Sequence, residues 1–224
     1  MEVRRPVVAG SFYAGSADAL IRQIEGCFRH SFGPGDVPRT AEGSLRQVLA
    51  LISPHAGYMY SGPVAAHAYH RLALDGRPDV IVILGPNHHG VGSGVATVVG
   101  GIWETPLGGV EVDSEVAKRI VEYSGIIDFN DLAHAYEHSI EVQLPFLQYI
   151  YRNGFRIVPV SMLMQDRETS VEVGRAIARA ISDLNAVVIA STDLTHYEPQ
   201  DSANRKDKAV IEAILKLDVN ELYR

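Results

Sequence analysis

Cysteine is almost absent from this 224-residue sequence, in which Cys27 is the only example. A single thiol excludes an internal disulfide framework and any zinc or iron-sulfur site built from cysteine alone. Histidine and carboxylate side chains must therefore hold any metal ion. A chain without disulfides is typical of a reducing compartment, and we expect a cytoplasmic location.

Long apolar runs and basic clusters are also missing. No apolar stretch approaches the roughly 18 residues of a membrane span, and no apolar segment follows the charged N-terminus. We therefore expect neither a signal peptide nor a membrane segment. The formal net charge is -7, and the basic clusters are pairs such as Arg4-Arg5 and Arg205-Lys206. This balance argues against nucleic acid as a partner.

Several nucleotide and hydrolase motifs are absent as well. The sequence contains no Gly-x-Gly-x-x-Gly after a predicted strand, no Walker A sequence and no Gly-x-Ser-x-Gly elbow. The His-Glu-x-x-His order of zincin metalloproteases is also missing. We therefore expect no nucleotide cofactor, and the serine hydrolase and zincin interpretations have no support.

Apolar residues, by contrast, are plentiful at 46% of the chain, enough to fill the core of one domain. Uniformly apolar runs predict strands buried on both faces, and these runs are residues 47–53, 79–84, 156–163 and 186–191. Helical patterns alternate with them at residues 63–74, 114–123, 137 to about 151, 169–184 and about 203–217. The alternation predicts an α/β fold with a mostly parallel central sheet flanked by helices.

Residues 94–113 have a different pattern, because two β-rich runs, 95–99 and 110–112, surround a connection that contains glycine and proline. We interpret this stretch as an antiparallel ribbon at one edge of the fold. The glycine- and proline-bearing segment 33–44 is a loop rather than a linker, since the chain before it is too short to bury a core. Residues 1–224 are thus predicted to form a single domain.

Histidines are concentrated where predicted strands and helices begin or end. Five of the nine occupy such positions, namely His55, His88, His89, His138 and His196. Because the carboxyl ends of parallel strands share one edge of a sheet, we expect these side chains to converge in a metal-competent pocket. Alternative interpretations are that His55 caps the next helix and that His88 and His89 are a solvated pair. If the pair is functional, one histidine binds metal and its neighbour forms a hydrogen bond or contacts substrate.

Carboxylates accompany two of these histidines. Glu137 and Glu141 share one face of a predicted helix, although a glutamate in a first helical turn is also favoured by the helix dipole alone. His138 faces either the pocket or water. Asp193 and His196 suit an orienting pair in which the carboxylate fixes the imidazole tautomer, while Asp193 could equally cap a helix. The other four histidines are predicted on helices or ordinary loops, and they are His30, His67, His70 and His134. We interpret all of them except His67 as structural or surface residues.

Five segments together resemble the Memo family and occur in the same order across nearly the whole chain. They are Arg-Pro-Val-Val-Ala-Gly-Ser-Phe-Tyr at 5–13, Ser-Pro-His-Ala-Gly-Tyr at 53–58, Leu-Gly-Pro-Asn-His-His at 84–89, Glu-His-Ser-Ile-Glu at 137–141 and Ser-Thr-Asp-Leu-Thr-His at 191–196. The resemblance implies a fold similar to that of class III extradiol dioxygenases, the nonheme iron enzymes that open catechol rings.

The resemblance also implies roles for individual residues. His55 and His88 are expected to be metal ligands, and Asp193 with His196 the acid/base position. The remaining predicted site residues are Glu137 and His138, which line the pocket as catalytic candidates, and Tyr58, Asn87 and His89, which complete it. The expected cofactor is iron or copper rather than zinc, and the expected pocket ligand is a small-molecule substrate or a peptide. Association with a radical SAM protein and a second small partner is implied in the same way.

One position of the family pattern is missing. The third metal ligand of the family is a cysteine in a Cys-Gly-like motif near the C-terminus, and the sequence stops at Arg224 without reaching it. Cys27 lies far upstream on a predicted helix and does not take this role. We expect either that the domain lacks its C-terminal part or that the site has only two of its usual protein ligands.

Three functions remain open at this point. The favoured one is a metal-binding protein with a redox or regulatory role, because a family fold alone does not confer chemistry. The first alternative is an active nonheme Fe(II) extradiol-type dioxygenase with His196 as base. The second is a zinc hydrolase in which Glu137 or His196 activates water.

Overall fold

The computed structural model describes residues 3–45, 47–152 and 154–224. Its strands, in chain order, are β1 (Val3–Arg4), β2 (Ala50–Ser53), β3 (Val80–Pro86), β4 (Val95–Thr97), β5 (Ile102–Thr105), β6 (Gly108–Glu111), β7 (Asp128–Phe129), β8 (Arg156–Met162) and β9 (Ala186–Ser191). Its α-helices are α1 (Ala17–Arg29), α2 (Tyr58–Asp75), α3 (Ser114–Tyr123), α4 (Leu132–Ala135), α5 (Leu144–Tyr151), α6 (Arg167–Ala180), α7 (Gln200–Leu215) and α8 (Val219–Leu222), and a 3-10 turn (Glu141–Gln143) precedes α5.

The central sheet has the strand order β2-β9-β3-β8-β4-β7. The four strands β2, β9, β3 and β8 are parallel to one another, whereas β4 runs antiparallel to β8 and pairs in parallel with β7. The sheet is therefore mixed, with a parallel part formed by the four predicted apolar runs. An α/β domain with helices flanking its sheet is confirmed, while the likeness to class III extradiol dioxygenases stays a prediction.

Strand β3 shows why a uniformly apolar run lies at the centre. Ile81 and Ile83 belong to a core that also contains residues of α1, α2 and α5. Val80 and Val82 belong to a second core with residues of α3 and α6. Because successive side chains of a strand point to opposite faces, one run of β-branched residues fills both cores. The sheet is thereby held rigidly between two layers of helices.

The predicted ribbon at residues 94–113 is wrong in its pairing. The run 95–99 supplies β4, which joins the central sheet beside β8. The run 110–112 contributes to β6, which pairs antiparallel with β5 in a separate sheet of order β1-β5-β6. The physical reason is a tight turn that sets Thr105 opposite Gly108. A local hairpin of this kind forms more readily than pairing between distant runs.

The helix predicted from residue 137 to about 151 is wrong at its start. Helix α4 ends before this point, residues 136–140 are not α-helical, and the 3-10 turn then leads into α5. The carboxylate of Glu137 accepts the backbone amides of His138 and Ser139, both at 2.8 Å. A side chain that captures local amides competes with helical hydrogen bonding, so the chain turns here instead of starting a helix.

Helix α2 begins earlier than predicted, at Tyr58, so that Pro63 lies inside it. The carbonyl of Phe12 accepts the amide of Tyr58 at 2.7 Å and so satisfies a donor that a helix start leaves without a partner. Among the helices of the described ranges, none has both the length and the apolar character needed to cross a membrane.

Candidate metal centre

Three neighbouring strands of the central sheet end at one edge. Strands β2, β9 and β3 lie side by side and are parallel, so the loops after their carboxyl ends are adjacent. The loop after β2 carries His55, the loop after β9 carries Asp193, and His88 follows β3. The structure brings these three sequence-predicted site residues together.

His55, His88 and His138 form a cluster at this edge. Each offers a ring nitrogen, and the three nitrogens lie within 4.8 Å of one another. The ring centroids of His88 and His138 are 4.6 Å apart, and His55 lies 5.2 Å from His88 and 5.7 Å from His138. Two nitrogens that each lie about 2.1 Å from one ion are at most about 4.2 Å apart. Small side-chain rotations therefore suffice to bring all three donors onto one metal ion.

A buried hydroxyl fixes the tautomer of His55. Nδ1 of His55 lies 3.1 Å from Oγ of Ser191, which donates its only proton to the carbonyl of Ser139 at 2.6 Å. The side-chain amide of Gln143 donates to the same Oγ at 2.7 Å and to the carbonyl of Pro54 at 3.0 Å. Ser191 can therefore only accept from His55, so Nδ1 carries the proton. The lone pair of Nε2 is left for a metal ion.

The buried carboxylate of Glu137 orients the second histidine. Its Oε1 accepts Nδ1 of His88 at 2.9 Å, and its Oε2 accepts the amide of His88 at 2.6 Å. Burial by itself raises the pKa of Glu137, but the hydrogen bonds from His88 and Ser139 outweigh it and lower the pKa to about 2. An ionised Glu137 holds the proton on Nδ1 of His88 and leaves the lone pair of Nε2 free to bind a metal ion. This is the carboxylate-histidine arrangement found behind metal ligands.

Asp193 supports the loop of His55 and lies between two histidines. Its Oδ1 accepts the amides of His55 at 2.7 Å and Ala56 at 3.3 Å. Its Oδ2 lies 3.7 Å from Nε2 of His55 and 3.5 Å from Nε2 of His196. The side chain of His196 is 58% exposed. Asp193 and His196 are thus neighbours, as the sequence predicts, but their contact is long for a hydrogen bond.

Asn87 and His89 belong to the loop that follows β3. Asn87 is buried, and its Oδ1 accepts the amides of His89 at 3.1 Å and Gly90 at 3.0 Å, so it shapes the loop. His89 is exposed and forms a second group of possible ligands with Glu137 and His138. Because Glu137 already accepts several hydrogen bonds, this second group is less suited to a metal than the three histidines.

Tyr58 lies in the hydrophobic core rather than at the cluster. It is 4% exposed, and its hydroxyl donates to the carbonyl of Val142 at 2.7 Å. His134, interpreted as structural or surface, is buried with Nε2 3.1 Å from the carbonyl of Ala96, and burial lowers its pKa to about 4. Cys27 is buried in the core on α1. These three side chains serve the packing of the domain.

Sequence reasoning missed three residues that hold the cluster. Ser191 and Gln143 fix His55, and the ring of Phe12 contacts the ring of His138 at a centroid distance of 4.7 Å. Phe12 and Ser191 both lie in segments that carry the family resemblance, and this was the available signal. No periodicity or strand-end argument points to Phe12, because it approaches the site from the distant N-terminal segment.

Comparisons with known proteins give one consistent result. A family model described as Memo-like protein matches residues 4–224. A MEMO1 family protein of Methanothermobacter thermautotrophicus is 55% identical over 223 residues, which cover 99% of this chain and 79% of the relative. One from Methanopyrus kandleri is 56% identical over 217 residues, with 96% and 76% covered. Another from Saccharolobus solfataricus is 50% identical over 224 residues, with 98% and 79% covered.

Proposed function

This chain belongs to the Memo family, and on that premise we propose that it is a metal-binding protein whose centre is formed by His55, His88 and His138. One observation carries the proposal. Two of the three imidazoles are hydrogen-bonded from behind, His55 to Ser191 and His88 to Glu137, which leaves one nitrogen of each ring free, and a ring nitrogen of each of the three histidines lies within 4.8 Å of the other two. Side chains behind the ligands of metal sites orient histidines in this way.

The donor set suits iron, copper or zinc, which imidazole nitrogens bind well. Burial lowers the pKa of His55 to about 4 and also lowers the pKa of His138. His55 is therefore a neutral base near pH 7, and protons compete little with a metal for it. A bound metal would supply Lewis acidity or a redox couple, while the chain supplies the orientation and protonation state of the ligands.

A redox or regulatory role fits these ligands better than ring cleavage. Nonheme Fe(II) oxygenases use two histidines and one carboxylate. Here the carboxylate of Glu137 accepts hydrogen bonds from His88, His138 and Ser139 and acts as an orienting group, and the carboxylate of Asp193 accepts two backbone amides. The described cluster therefore offers three imidazoles and no carboxylate ligand, a set that leaves a higher positive charge on a bound ion.

Calorimetric titration with Fe²⁺, Cu²⁺ and Zn²⁺ tests the proposal. The wild-type chain should bind one ion of at least one of these metals. His55→Ala and His88→Ala should weaken that binding by about 10-fold or more, since each removes a ligand. His67→Ala, at an exposed position on α2, is the matched control and should bind as wild type does. Unchanged affinity in both ligand variants would remove the assignment.

An extradiol-type dioxygenase is the second candidate, and one observation favours it. Oδ2 of Asp193 lies 3.7 Å from His55 and 3.5 Å from the exposed His196, which places a candidate base next to a proposed ligand. The iron-loaded protein should then consume oxygen with at least one of a panel of catechols, and His196→Ala should lose this uptake while retaining iron. Absence of uptake with every catechol would eliminate this candidate and leave the metal-binding proposal intact.

A further inference from the structure

A buried tyrosine on α2 is connected to His55 through two other side chains. The hydroxyl of Tyr69 donates to Oε1 of Gln143. The amide of Gln143 donates in turn to Oγ of Ser191, which lies 3.1 Å from Nδ1 of His55. All four residues are at most 4% exposed. Water therefore has little access to the hydrogen bonds that join them.

The orientation of the Gln143 amide follows from its partners. Nε2 lies 3.0 Å from the carbonyl of Pro54, and a carbonyl oxygen can only accept a hydrogen bond. This end of the amide must therefore be the NH₂ group, which also donates to Ser191 at 2.7 Å. The opposite end is then the oxygen, which needs a donor, and the hydroxyl of Tyr69 supplies it.

The hydroxyl of Tyr69 has a fixed position and keeps its proton. The ring of Tyr69 stacks on Phe146, with centroids 4.8 Å apart and an interplanar angle of 4°. Burial raises the pKa of Tyr69 well above its usual value, so the group is a neutral donor near pH 7. A donor held by the core at this place keeps the Gln143 amide in the orientation that serves Ser191.

The direction of these hydrogen bonds decides the tautomer of His55. Oγ of Ser191 accepts the amide of Gln143 and donates its own proton to the carbonyl of Ser139 at 2.6 Å. It can then only accept from the imidazole, so the proton of His55 lies on Nδ1. The lone pair of Nε2 is left free, as a metal ligand at this nitrogen requires.

We propose that Tyr69 is a positioning residue of the metal centre, which sets the tautomer and orientation of His55 through Gln143 and Ser191. The inference rests on the proposed function, since the tautomer of His55 matters here because Nε2 is to bind a metal ion. It requires His55 as a ligand and makes no use of His138. Tyr69 thus serves the site from within the core, without contact to the metal.

Tyr69→Phe tests the proposal, because it keeps the ring in the core and removes the hydroxyl. Oε1 of Gln143 then lies buried without its donor, so the amide is held less firmly. Nuclear magnetic resonance of the ring nitrogens reads the tautomer of His55 in the metal-free protein at neutral pH, and His55→Ala identifies the signals. Wild type should be protonated on Nδ1, whereas Tyr69→Phe should show a mixture of tautomers. Its Co²⁺ binding should weaken by about 5-fold, since Tyr69 acts through two other side chains.

Tyr58→Phe is the matched control. Tyr58 is also buried on α2, its ring lies 4.9 Å from that of Phe146, and its hydroxyl donates to the carbonyl of Val142 at 2.7 Å. The control thus loses a buried tyrosine hydrogen bond outside the path from Tyr69 to His55. It should keep the wild-type tautomer and Co²⁺ affinity. Equal changes in both variants would indicate a general loosening of the core and would overturn the proposal.

A double-mutant cycle shows whether Tyr69 acts through Ser191. In a Ser191→Ala background, Tyr69→Phe should weaken Co²⁺ binding by less than about twofold more. A further loss as large as that in the wild-type background would overturn the proposal. Circular dichroism of the metal-free proteins checks folding. If Tyr69→Phe does not fold, Gln143→Met, which removes the amide, decides by the same tautomer measurement, and a wild-type tautomer there would overturn the proposal.

The two proposals fail in different ways. If His55→Ala weakens Co²⁺ binding but Tyr69→Phe has the wild-type tautomer and affinity, the role of Tyr69 is overturned and the metal centre stands. If His55→Ala and His88→Ala both bind Co²⁺ as tightly as wild type, the metal centre itself fails and the positioning role of Tyr69 falls with it.

Discussion

The two sides of the proposed metal centre are built on different principles. On one side, His55 and His88 follow parallel strands, and the buried hydrogen bonds that their rings donate to Ser191 and Glu137 orient them. On the other side, His138 lies on an irregular segment and is held through ring contacts and the N-terminal residue Arg4. A rigid sheet can thus place ligands locally, whereas a ligand on a loop depends on contacts from remote parts of the chain.

The largest effect is expected from Glu137, which lies where the two sides meet. Both carboxylate oxygens of Glu137 accept hydrogen bonds, from His88, His138 and Ser139. In Glu137→Gln an NH₂ group replaces one of these oxygens, so a donor meets a donor and a hydrogen bond is lost. We expect metal affinity to fall by about 10- to 100-fold and the free energy of unfolding by about 1–3 kcal/mol. Calorimetry and urea denaturation measure the two quantities. Glu115→Gln, at an exposed glutamate, is the control, and equal behaviour of the two variants would contradict the orienting role.

Ser191 tests the strand side alone. Ser191→Ala removes the acceptor of His55 Nδ1 and leaves the amide of Gln143 and the carbonyl of Ser139 with one partner fewer. Metal affinity should fall by about 10-fold, and stability by about 1 kcal/mol. Ser182→Ala, at an exposed serine that follows α6, should change neither. Wild-type affinity in Ser191→Ala would show that the hydroxyl does not set the tautomer.

The metal-free protein should lose stability as the pH is lowered from about 6.5 to about 4. Burial lowers the pKa of His55 to about 4 in the folded chain, against 6.5 as the ordinary value. In this window the unfolded chain binds a proton that folded His55 does not, so acid favours unfolding. Burial lowers the pKa of His134 to about 4 as well. Urea denaturation at several pH values measures the slope, which should be shallower in His55→Gln. Stability that is constant or increases on acidification would contradict this account.

The smallest effect is expected from His196. Its side chain is 58% exposed and its contact with Asp193 is long, so it belongs to neither side of the centre. His196→Ala should change metal affinity by less than about twofold and stability by less than about 0.5 kcal/mol. Calorimetry and thermal unfolding are sufficient measurements. A loss of metal affinity as large as that expected for His55→Ala would indicate that His196 is itself a metal ligand and would contradict its place outside the two sides of the centre.

The sequence indicates the strand side of the site better than the loop side. The convergence of His55, His88 and Asp193 follows from apolar runs that end at histidine- or aspartate-bearing loops, because parallel strands align their carboxyl ends. Phe12 and Arg4 could not be found in this way. Arg4 contacts the carbonyl of His134 across 130 positions of sequence, and local patterns carry no record of such a contact.

Two errors in the predicted fold have the same origin. The helix expected to start at Glu137 yields to a loop because the Glu137 carboxylate captures amides of its own segment and of His88, and the second of these is a tertiary contact. The ribbon expected between residues 95–99 and 110–112 fails because β6 forms a local hairpin with β5, while β4 finds its antiparallel partner in the distant strand β8. In both cases a long-range partner changes what the local pattern indicates.

Pulsed electron paramagnetic resonance of the Cu²⁺-loaded protein tests the central claim most directly, because it counts the imidazoles bound to the metal. We expect three coordinated imidazoles in the wild-type chain and two after substitution of His55, His88 or His138 by alanine. A wild-type count of two that is unchanged in His138→Ala would contradict the three-histidine centre.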